Sequence, residues 1–460
     1  IMIFKKLFIL SSMCDATGPD TGAIISLNAI GKQDKYLLNP DPEHSLFKYE
    51  PKKHASFRKF HKSTNITKPG DANVNWPFGE TIKVTFNPRS MGDLLSNMYI
   101  SINLPPLPAG TDYYADQIGR HLIKSVTMRV DEMIVEKFHA DWGIIYDELY
   151  LDESEKRTKR YTINRNLAED TSFISNNHTF LDQKNSKVFI PIPLFFSRKY
   201  ESDEYETNKP NRPYFPTCAI HKQKMIFEIE FFPKTFFTNA SGNYSLDSFD
   251  IVTEEITIEN PERTYLKNTK YTFITDIVKK HPTLEIKSGE QVAKLELVPK
   301  TPVKTINWFF RQTAFEDENT TGGGSTIKEN AFANRYNFST GASYSIINEF
   351  YNAPMISAKI FVNGEDIPNM QDSDHKYYKY VVPFSSRLSR PFRNIYTYAF
   401  SMNPINVESS GSLDFSQLQS NRTILDVKMT QGLTSDYTLH LYYVGYQTFT
   451  FENGTMSLAY

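Results

Sequence analysis

The stretch between residues 394 and 430 places the tightest constraint on what this chain can fold into. Its first part alternates large and small side chains with a period of two, which predicts a β-strand with one buried face. Pro404 ends the strand because proline has no N–H for the hydrogen-bond ladder. The large side chains, which we predict to line the inner face of a sandwich, are Tyr396, Tyr398, Phe400 and Met402.

Similar alternation recurs along the chain, and Pro and Gly residues separate the segments. The fold class is therefore all-β, with short helices in the loops. One helix is predicted near residues 114–122. A second is predicted over 138–149, where Phe138, Trp142, Ile145 and Leu149 form an apolar stripe with acidic residues opposite. The segments predicted to form strands are 82–86, 98–104, 126–138, 187–196, 225–231, 251–258, 293–297, 304–310, 358–367, 425–429 and 437–444.

The order of these segments repeats. Residues 126–138 and 359–370 are both strand–turn–strand units, each followed by an apolar strand that ends near proline, at 189–193 and 396–404. A strand with one charged face comes next in both halves, at 224–231 and 423–429. We therefore predict two halves that share one fold.

Composition limits the possible partners and compartments. The 460 residues allow two large β domains. A net charge of −2 gives no general attraction to nucleic acid or anionic lipid. Two cysteines, Cys14 and Cys218, are too few for a disulfide framework and indicate reduced thiols in a cytosolic compartment. Apolar runs are shorter than the ~18–20 residues of a membrane span. Met13 is a plausible translation start, with residues 1–12 an upstream extension.

The sequence contains none of the common catalytic motifs, so we predict a protein that is not an enzyme and has no cofactor and no metal. His139 and Asp141 are a weak pair of metal ligands because no third ligand lies at a suitable spacing. The glycines at 322–324 lack the strand–helix context of a nucleotide-binding loop. Carboxylate pairs such as Asp317-Glu318 and Glu254-Glu255 are interpreted as solvated or turn residues.

Two long polar loops, residues 235–248 and 311–345, are candidates for the outer surface. Residues 311–345 are predicted to face outward, with the alternative that Phe332, Tyr336 and Phe338 pack this segment onto a neighbouring subunit. Sequons for N-glycosylation occur in both loops, as weak candidate sites. These candidate acceptors are Asn239, Asn243, Asn319 and Asn337.

Several short motifs occur in one shared order, and together they resemble the major capsid proteins of the nucleocytoplasmic large DNA viruses. The tyrosine-rich strand, Asn-Pro, Ser-Gly and Asp-Phe-Ser of the 394–430 stretch resemble that family, although Ser409 and Asp414 replace its usual proline and asparagine. The other matching positions are Gly31, Asp34, Tyr36, Leu37, Asp141-Trp142, Glu262-Arg263, Trp308, Asn363-Gly364 and 457–460.

The resemblance implies two consecutive eight-stranded antiparallel jelly rolls. We expect an N-terminal arm over 1–21, a first roll over 22–267 and a second over 268–460. The resemblance also implies a homotrimer with a pseudo-hexagonal outline, many copies of which tile an icosahedral shell. Neighbouring capsomers, penton proteins and minor capsid proteins are the implied partners, together with inner-membrane proteins indirectly and without direct nucleic-acid contact. The implied location is the virion, with assembly in the host cytoplasm. A minor capsid paralogue and a carbohydrate-binding jelly-roll protein remain alternatives.

Overall fold

A computed structural model describes most of the chain and divides it into two compact units, residues 1–55 and 56–460. In the first unit, residues Asp34–Leu37 form a single helical turn (α1). The second unit contains all the strands considered below. The described residues are 22, 25–26, 29–38, 53–105, 114–115, 117–162, 186–200, 213–238, 242–318, 334–341, 346–368, 373–406 and 408–459.

Eight strands between residues 57 and 258 form two four-stranded antiparallel sheets, which we call roll 1. One sheet has the order β1-β8-β3-β6 and the other β2-β7-β4-β5. This order is that of a jelly roll. The strands are β1 (Phe57–Thr67), β2 (Thr81–Phe86), β3 (Leu94–Leu104), β4 (Ile123–Val130), β5 (Met133–His139), β6 (Ser186–Pro191), β7 (Met225–Phe231) and β8 (Ser248–Ile258).

Strands between residues 271 and 458 repeat this plan, and we call them roll 2. One sheet has the central order β10-β18-β12-β15, with β9, β16 and β19 attached, and the other has the order β11-β17-β13-β14. The strands are β9 (Tyr271–Lys280), β10 (Leu284–Ile286), β11 (Val292–Glu296), β12 (Pro302–Gln312), β13 (Met355–Val362), β14 (Glu365–Asp366), β15 (Tyr396–Ala399), β16 (Leu413–Asp414), β17 (Ile424–Met429), β18 (Tyr437–Glu452) and β19 (Thr455–Leu458).

The two rolls place equivalent strands in equivalent positions. Hairpin β4–β5 corresponds to β13–β14, and both pair with the strand that carries a charged face, β7 or β17. Edge strand β6 pairs with β3 as β15 pairs with β12. The turn between β13 and β14 uses Asn363 and Gly364, both with positive φ, as a tight two-residue hairpin requires. The predicted internal duplication therefore agrees with the strand order.

Short helices interrupt the strands at corresponding places in the two rolls. Helix α2 lies between β3 and β4, and α3 and α4 lie between β5 and β6. In roll 2, α6 lies between β12 and β13, and a π-helix and α7 lie between β14 and β15. The bounds are α2 (Ile118–Leu122), α3 (Ala140–Leu149), α4 (Glu153–Thr162), α5 (Asn260–Asn268), α6 (Ile346–Tyr351), the π-helix (Tyr377–Val381) and α7 (Val382–Ser385), with 3-10 turns at Pro88–Ser90, Thr217–Ile220, Lys234–Phe236, Thr313–Phe315, Phe415–Gln417 and Ser420–Arg422.

Both predicted helices begin later than the apolar pattern suggested. Tyr114 precedes α2 and forms an isolated bridge with Thr238, and Phe138 is on β5 rather than in α3. No helix among the described residues is long and apolar enough to cross a membrane.

Two hydrophobic cores hold the rolls. One core belongs to roll 2 alone and includes Ile306, Trp308 and Leu441. The other, which we call the shared core, contains the apolar interior of roll 1 and also roll 2 residues such as Phe309 and Tyr442. Strands β12 and β18 therefore contribute alternate residues to two different cores. This explains why nearly every side chain on β12 is buried, whereas β17 keeps one exposed face as predicted.

The predicted inner face of the tyrosine-rich strand is only partly correct. Tyr396 is fully buried, Tyr398 and Phe400 are packed at the edge of the roll 2 core, and Met402 is 88% exposed. The strand ends at Ala399 because the chain then turns back, with the Met402 N–H donating to the Ser410 carbonyl oxygen at 3.1 Å. The register prediction was wrong for Met402.

Candidate functional site: the buried charged layer between the rolls

Helix α3 lies between the two rolls, and all ten of its residues are buried. Its Trp142 ring packs against Tyr442 of β18, with ring centroids 6.3 Å apart. We predicted acidic residues on the face opposite the apolar stripe, and such residues normally face solvent. Here they are buried because roll 2 packs on Asp141 and Glu148, whereas Arg120 and Lys159 of roll 1 pair with Asp147. These acids are Asp141, Asp147 and Glu148, and each has a cationic partner.

Asp141 forms the centre of the first group of charges. Its Oδ1 atom lies 2.5 Å from Nη2 of Arg311 on β12, and Nη1 of Arg311 lies 3.1 Å from Glu316. Glu316 also contacts Arg335 at 3.1 Å and His440 at 2.6 Å. Burial alone would raise the pKa of Asp141, but the charges of Arg311, Arg335 and His440 hold that pKa well below its ordinary value. The carboxylate therefore stays ionised inside the protein.

Glu148, two turns further along α3 than Asp141, anchors a loop of roll 2. One carboxylate oxygen lies 2.7 Å from Nη1 of Arg393, and the other accepts the Phe392 N–H at 2.9 Å. Nε of Arg393 donates to the Tyr336 carbonyl oxygen at 2.9 Å. The Tyr336 hydroxyl then donates to the Arg120 carbonyl oxygen in roll 1 at 2.8 Å. These bonds connect three segments that are distant in sequence.

A second group of charges lies where β5 meets β9. Glu136 of roll 1 accepts the Val278 N–H of roll 2 at 2.8 Å, and its Oε1 lies 3.1 Å from Arg198. Burial raises the pKa of Glu136, although Arg198 opposes the rise. Asp276 accepts the Tyr200 hydroxyl at 2.5 Å and contacts Lys304 at 3.3 Å. Each of these carboxylates has hydrogen bonds that offset the loss of water.

We define the charged layer as these two groups together with the Glu148–Arg393 pair, and its chemistry suits a structural role. Removing one partner of a buried ion pair typically costs about 3–5 kcal/mol because the other charge stays buried without compensation. Replacing both partners by apolar residues is often close to neutral. The charged layer therefore allows one arrangement of the rolls and penalises any shift that would separate the partners.

Within the segment predicted to face outward, 311–345, Arg311 and residues 334–339 are buried, whereas Ala314 and Asp317 are exposed. Arg311 is part of β12. Phe338 is fully buried and stacks on Phe309 with ring centroids 4.1 Å apart. Tyr336 is 4% exposed, and both aromatic residues belong to the shared core. For Tyr336 and Phe338, the alternative of packing onto a neighbouring subunit was wrong, since their partners are in the same chain. Phe332 and residues 319–333 lie outside the described residues.

The candidate glycosylation acceptors have different environments. Asn243 is exposed. Asn337 is fully buried, and its amide nitrogen donates to the Gly341 carbonyl oxygen at 2.9 Å, so the folded chain leaves no space for a glycan there. Asn239 and Asn319 lie outside the described residues.

Other residues that were singled out from the sequence have a structural role in the fold. Glu254 and Glu255 are buried rather than solvated: Glu254 pairs with Lys59 at 2.8 Å, and Glu255 accepts the Gly92 N–H at 2.6 Å. Within the described part of the chain, no group of three or more His, Cys, Asp or Glu residues could hold a metal ion. Cys218 is buried, and burial raises the pKa of its thiol to about 11; Cys14 lies outside the described residues.

A cavity of about 340 Å³ lies beside the second group of charges, near α4 and the end of β6. Lys159 and Lys199 line it, but Lys159 already pairs with Asp147 at 3.0 Å and Lys199 with Glu155 at 3.0 Å. The charge of the cavity is therefore largely compensated, and we assign no ligand to it.

Sequence reasoning missed the charged layer, although one signal pointed to it. Segments 304–312 and 437–446 lack regular alternation of polar and apolar residues and still contain Arg311 and His440. A strand that contains charged residues but has no solvent-exposed face is expected to be buried on both sides. Another part of the chain must then supply the partners of its charges.

Two family models match the chain, one for each half. A model described as large eukaryotic DNA virus major capsid protein matches residues 236–451, and a model described as major capsid protein N-terminus matches residues 45–246. The chain belongs to the major capsid protein family of large eukaryotic DNA viruses. Together the two matches cover all the strands except β19.

Relatives within this capsid protein family align along nearly the whole chain. The major capsid protein of Pyramimonas orientalis virus is 23% identical over 465 residues, which covers 95% of this chain and 99% of that protein. The major capsid protein of Paramecium bursaria Chlorella virus 1 is 21% identical over 426 residues and covers 88% of this chain and 87% of that protein.

Solved capsid structures have the same double jelly-roll fold. The PBCV-1 virus capsid matches with a TM-score of 0.65 at 16% identity and covers 90% of this chain and 100% of that chain. The Faustovirus major capsid protein matches with a TM-score of 0.62 at 11% identity and covers 96% and 97%. The predicted fold class is therefore confirmed.

Proposed function

We propose that this chain is the major capsid protein of a large icosahedral double-stranded DNA virus, and that three copies form a pseudo-hexagonal capsomer. The observation that carries the proposal is the pair of rolls with equivalent strand order, fixed to each other by the charged layer. Three copies of such a chain supply six similar rolls, which is the number that a pseudo-hexagonal outline requires.

The oligomeric state tests this function directly. Obligate interfaces of this kind bury more than ~2,000 Å². Light scattering after size exclusion should give three times the 53.1 kDa of one chain, and negative-stain images should show hexagonal particles. A folded protein that stays monomeric at micromolar concentration would contradict the proposal.

Copy number separates a major capsid protein from a minor paralogue with the same fold. Densitometry of purified virions should find this chain as the most abundant protein of the shell. A few copies per particle would favour the minor role.

We also propose the finer partners and the division of the chain. Neighbouring capsomers, penton proteins and minor capsid proteins would contact it directly, inner-membrane proteins indirectly, and nucleic acid not at all. It would assemble in the host cytoplasm. The proposed division is an arm over 1–21 and rolls over 22–267 and 268–460, a boundary supported by the position of α5 between β8 and β9.

Of the two candidate acceptors in the polar loops that the structure describes, Asn243 and Asn337, we propose Asn243 as the glycan acceptor because its side chain is exposed. Peptide mass spectrometry of virion protein should find any glycan there and none at Asn337. A glycan at Asn337 would contradict the buried position of that residue.

A further inference from the structure

The helical insertions of the two rolls occupy corresponding places in the fold but differ in their exposure to solvent. In roll 1, α2 and α3 are buried along their whole length. Their counterparts in roll 2 are α6, which lies between β12 and β13 as α2 lies between β3 and β4, and the π-helix with α7. These counterparts carry exposed apolar side chains. The difference calls for a physical explanation because the strands around the helices follow the same plan.

Roll 2 of the same chain covers the roll 1 helices. Trp142 of α3 packs on Tyr442, and the Leu149 carbonyl oxygen accepts the Ser389 N–H at 2.7 Å. The ring of His121 in α2 lies 4.8 Å from the ring of Tyr336. The helices of roll 1 therefore rest on the face of roll 2 formed by β12 and β18, together with the neighbouring loops.

Among the described residues of roll 2, no segment covers the corresponding helices in the same way. Lys379 of the π-helix links the two helical segments, since its Nζ donates to the Glu349 carbonyl oxygen of α6 at 2.9 Å. The exposed apolar side chains, which we call the helix surface, are Ile347 (69% exposed), Phe350 (48%), Tyr351 (75%), Val381 (52%) and Phe384 (86%).

The sequence around α6 has the composition of the centre of a protein–protein interface. Between residues 339 and 358 the sequence contains one charged residue, Glu349, and that residue is fully buried. Interface centres are depleted of charge and enriched in aromatic residues, and exposed apolar patches rimmed by polar residues mark interaction sites. Three exposed apolar side chains on a six-residue helix are typical of a surface that another protein surface covers.

We propose that the helix surface binds roll 1 of a second copy of this chain, in the way that α2 and α3 of roll 1 bind roll 2 within one chain. This inference rests on the proposed function and names the surface that joins the copies. It follows from the internal duplication. If the first helical insertion packs on the neighbouring roll, the equivalent insertion should pack on the next roll, and the described residues form two rolls. A second copy of the chain supplies the next roll.

The duplication also identifies the receiving face. Arg311 and Tyr442, which receive α3, belong to β12 and β18, whose counterparts in roll 1 are β3 and β8. The receiving face is therefore the side of the β1-β8-β3-β6 sheet that points away from the shared core. It carries Tyr99 and Phe189, whose ring centroids lie 5.9 Å apart, with Phe189 38% exposed. Two different surfaces then meet in each contact, a head-to-tail arrangement that closes into a ring.

Charge placed on the helix surface tests the proposal. A chain with Tyr351→Glu and Phe384→Glu should be monomeric at concentrations where the unaltered chain is trimeric, with at least a tenfold higher dissociation constant. Both positions are exposed, so folding should be unaffected, as judged by thermal unfolding. Met402→Glu is the matched control because Met402 is also apolar, in roll 2 and 88% exposed; it should remain trimeric.

Mixing two variants tests the head-to-tail arrangement. Phe384→Glu damages the helix surface and Phe189→Glu the receiving face, so each chain alone should sediment as a monomer. An equimolar mixture should contain a species of twice 53.1 kDa, because each variant keeps the surface that the other lacks. Phe189→Asn, made in parallel, removes the ring without adding charge, in case the glutamate disturbs the sheet.

The outcomes separate this inference from the proposed function. A trimer that survives both substitutions on the helix surface, or a mixture that contains only monomers, would overturn the surface assignment and leave the capsid proposal intact. An unaltered chain that is itself monomeric would overturn the proposed function.

Discussion

Arg311 and Asp141 are 170 positions apart in the sequence, yet Nη2 of the arginine lies 2.5 Å from Oδ1 of the aspartate. The arginine comes from β12 of roll 2, the counterpart of β3, and the aspartate from α3, which follows β5 of roll 1. Arg311 is fully buried. This pair therefore depends on the relative position of the two rolls.

Removal of this arginine should destabilise the protein strongly. Arg311→Met leaves the Asp141 carboxylate buried without its closest counter-charge, and we expect a loss of about 3–5 kcal/mol in the free energy of unfolding. Chemical denaturation measures the loss. Lys294→Met is the control, since Lys294 pairs with Asp426 at the surface, and it should cost less than about 1 kcal/mol. Equal effects of the two substitutions would contradict the role of the charged layer.

Acidification should weaken the protein through His139. Burial, with Lys280 and Lys137 nearby, lowers the pKa of His139 to about 4, from the ordinary value of about 6.5 in the unfolded chain. A lowered pKa means that the folded state holds the neutral form. The stabilisation is present above about pH 6.5 and is lost as pH falls toward 4.

His139→Gln should therefore reduce the slope of stability against pH between 6.5 and 4, measured by denaturation at a series of pH values. His54→Gln is the control at an exposed histidine. An unchanged slope in the His139 variant would show that other groups account for the acid sensitivity.

Alanine substitutions along the tyrosine-rich strand should have graded effects. Tyr396→Ala empties a fully buried site and should cost about 3–5 kcal/mol, as for other large aromatic residues in cores. Phe400→Ala should cost less because its ring is only partly buried against Tyr398 and Phe415. Met402→Ala should change stability by less than about 0.5 kcal/mol. Thermal melting curves check the order, and a large loss at Met402 would restore the register predicted from sequence.

The turn between β18 and β19 docks on roll 1, and glycine is required there for two reasons. Gly454 has φ of +83°, and a Cβ atom at this position would meet the His221 ring. Its carbonyl oxygen accepts the Lys222 N–H at 3.1 Å.

Gly454→Ala should therefore cost more than Gly432→Ala. Gly432 has a similar φ of +76° but no atom within 4 Å of the added Cβ, so its substitution should cost only about 1–2 kcal/mol of backbone strain. The difference in unfolding free energy between the two variants measures the contact with roll 1. No difference would mean that the turn moves away without cost.

The sequence by itself determined the all-β class and the order of the strands. A period of two, with proline and glycine between segments, depends on residues that are neighbours in the chain, so it can be recognised without tertiary information. The charged faces of β7 and β17 were recognisable for the same reason, as was the Asn363-Gly364 turn. The shared order of motifs also indicated the family.

Only the tertiary structure decided what each buried face packs against. Sequence shows that Asp141, Glu148 and Arg311 are charged, but whether such a group is solvated or buried depends on a partner more than a hundred residues away. The same holds for Tyr336 and Phe338, which lie in a polar segment yet complete the shared core. Burial is a property of the assembled rolls, because desolvation and ion pairing depend on distances in space that spacing along the chain does not specify.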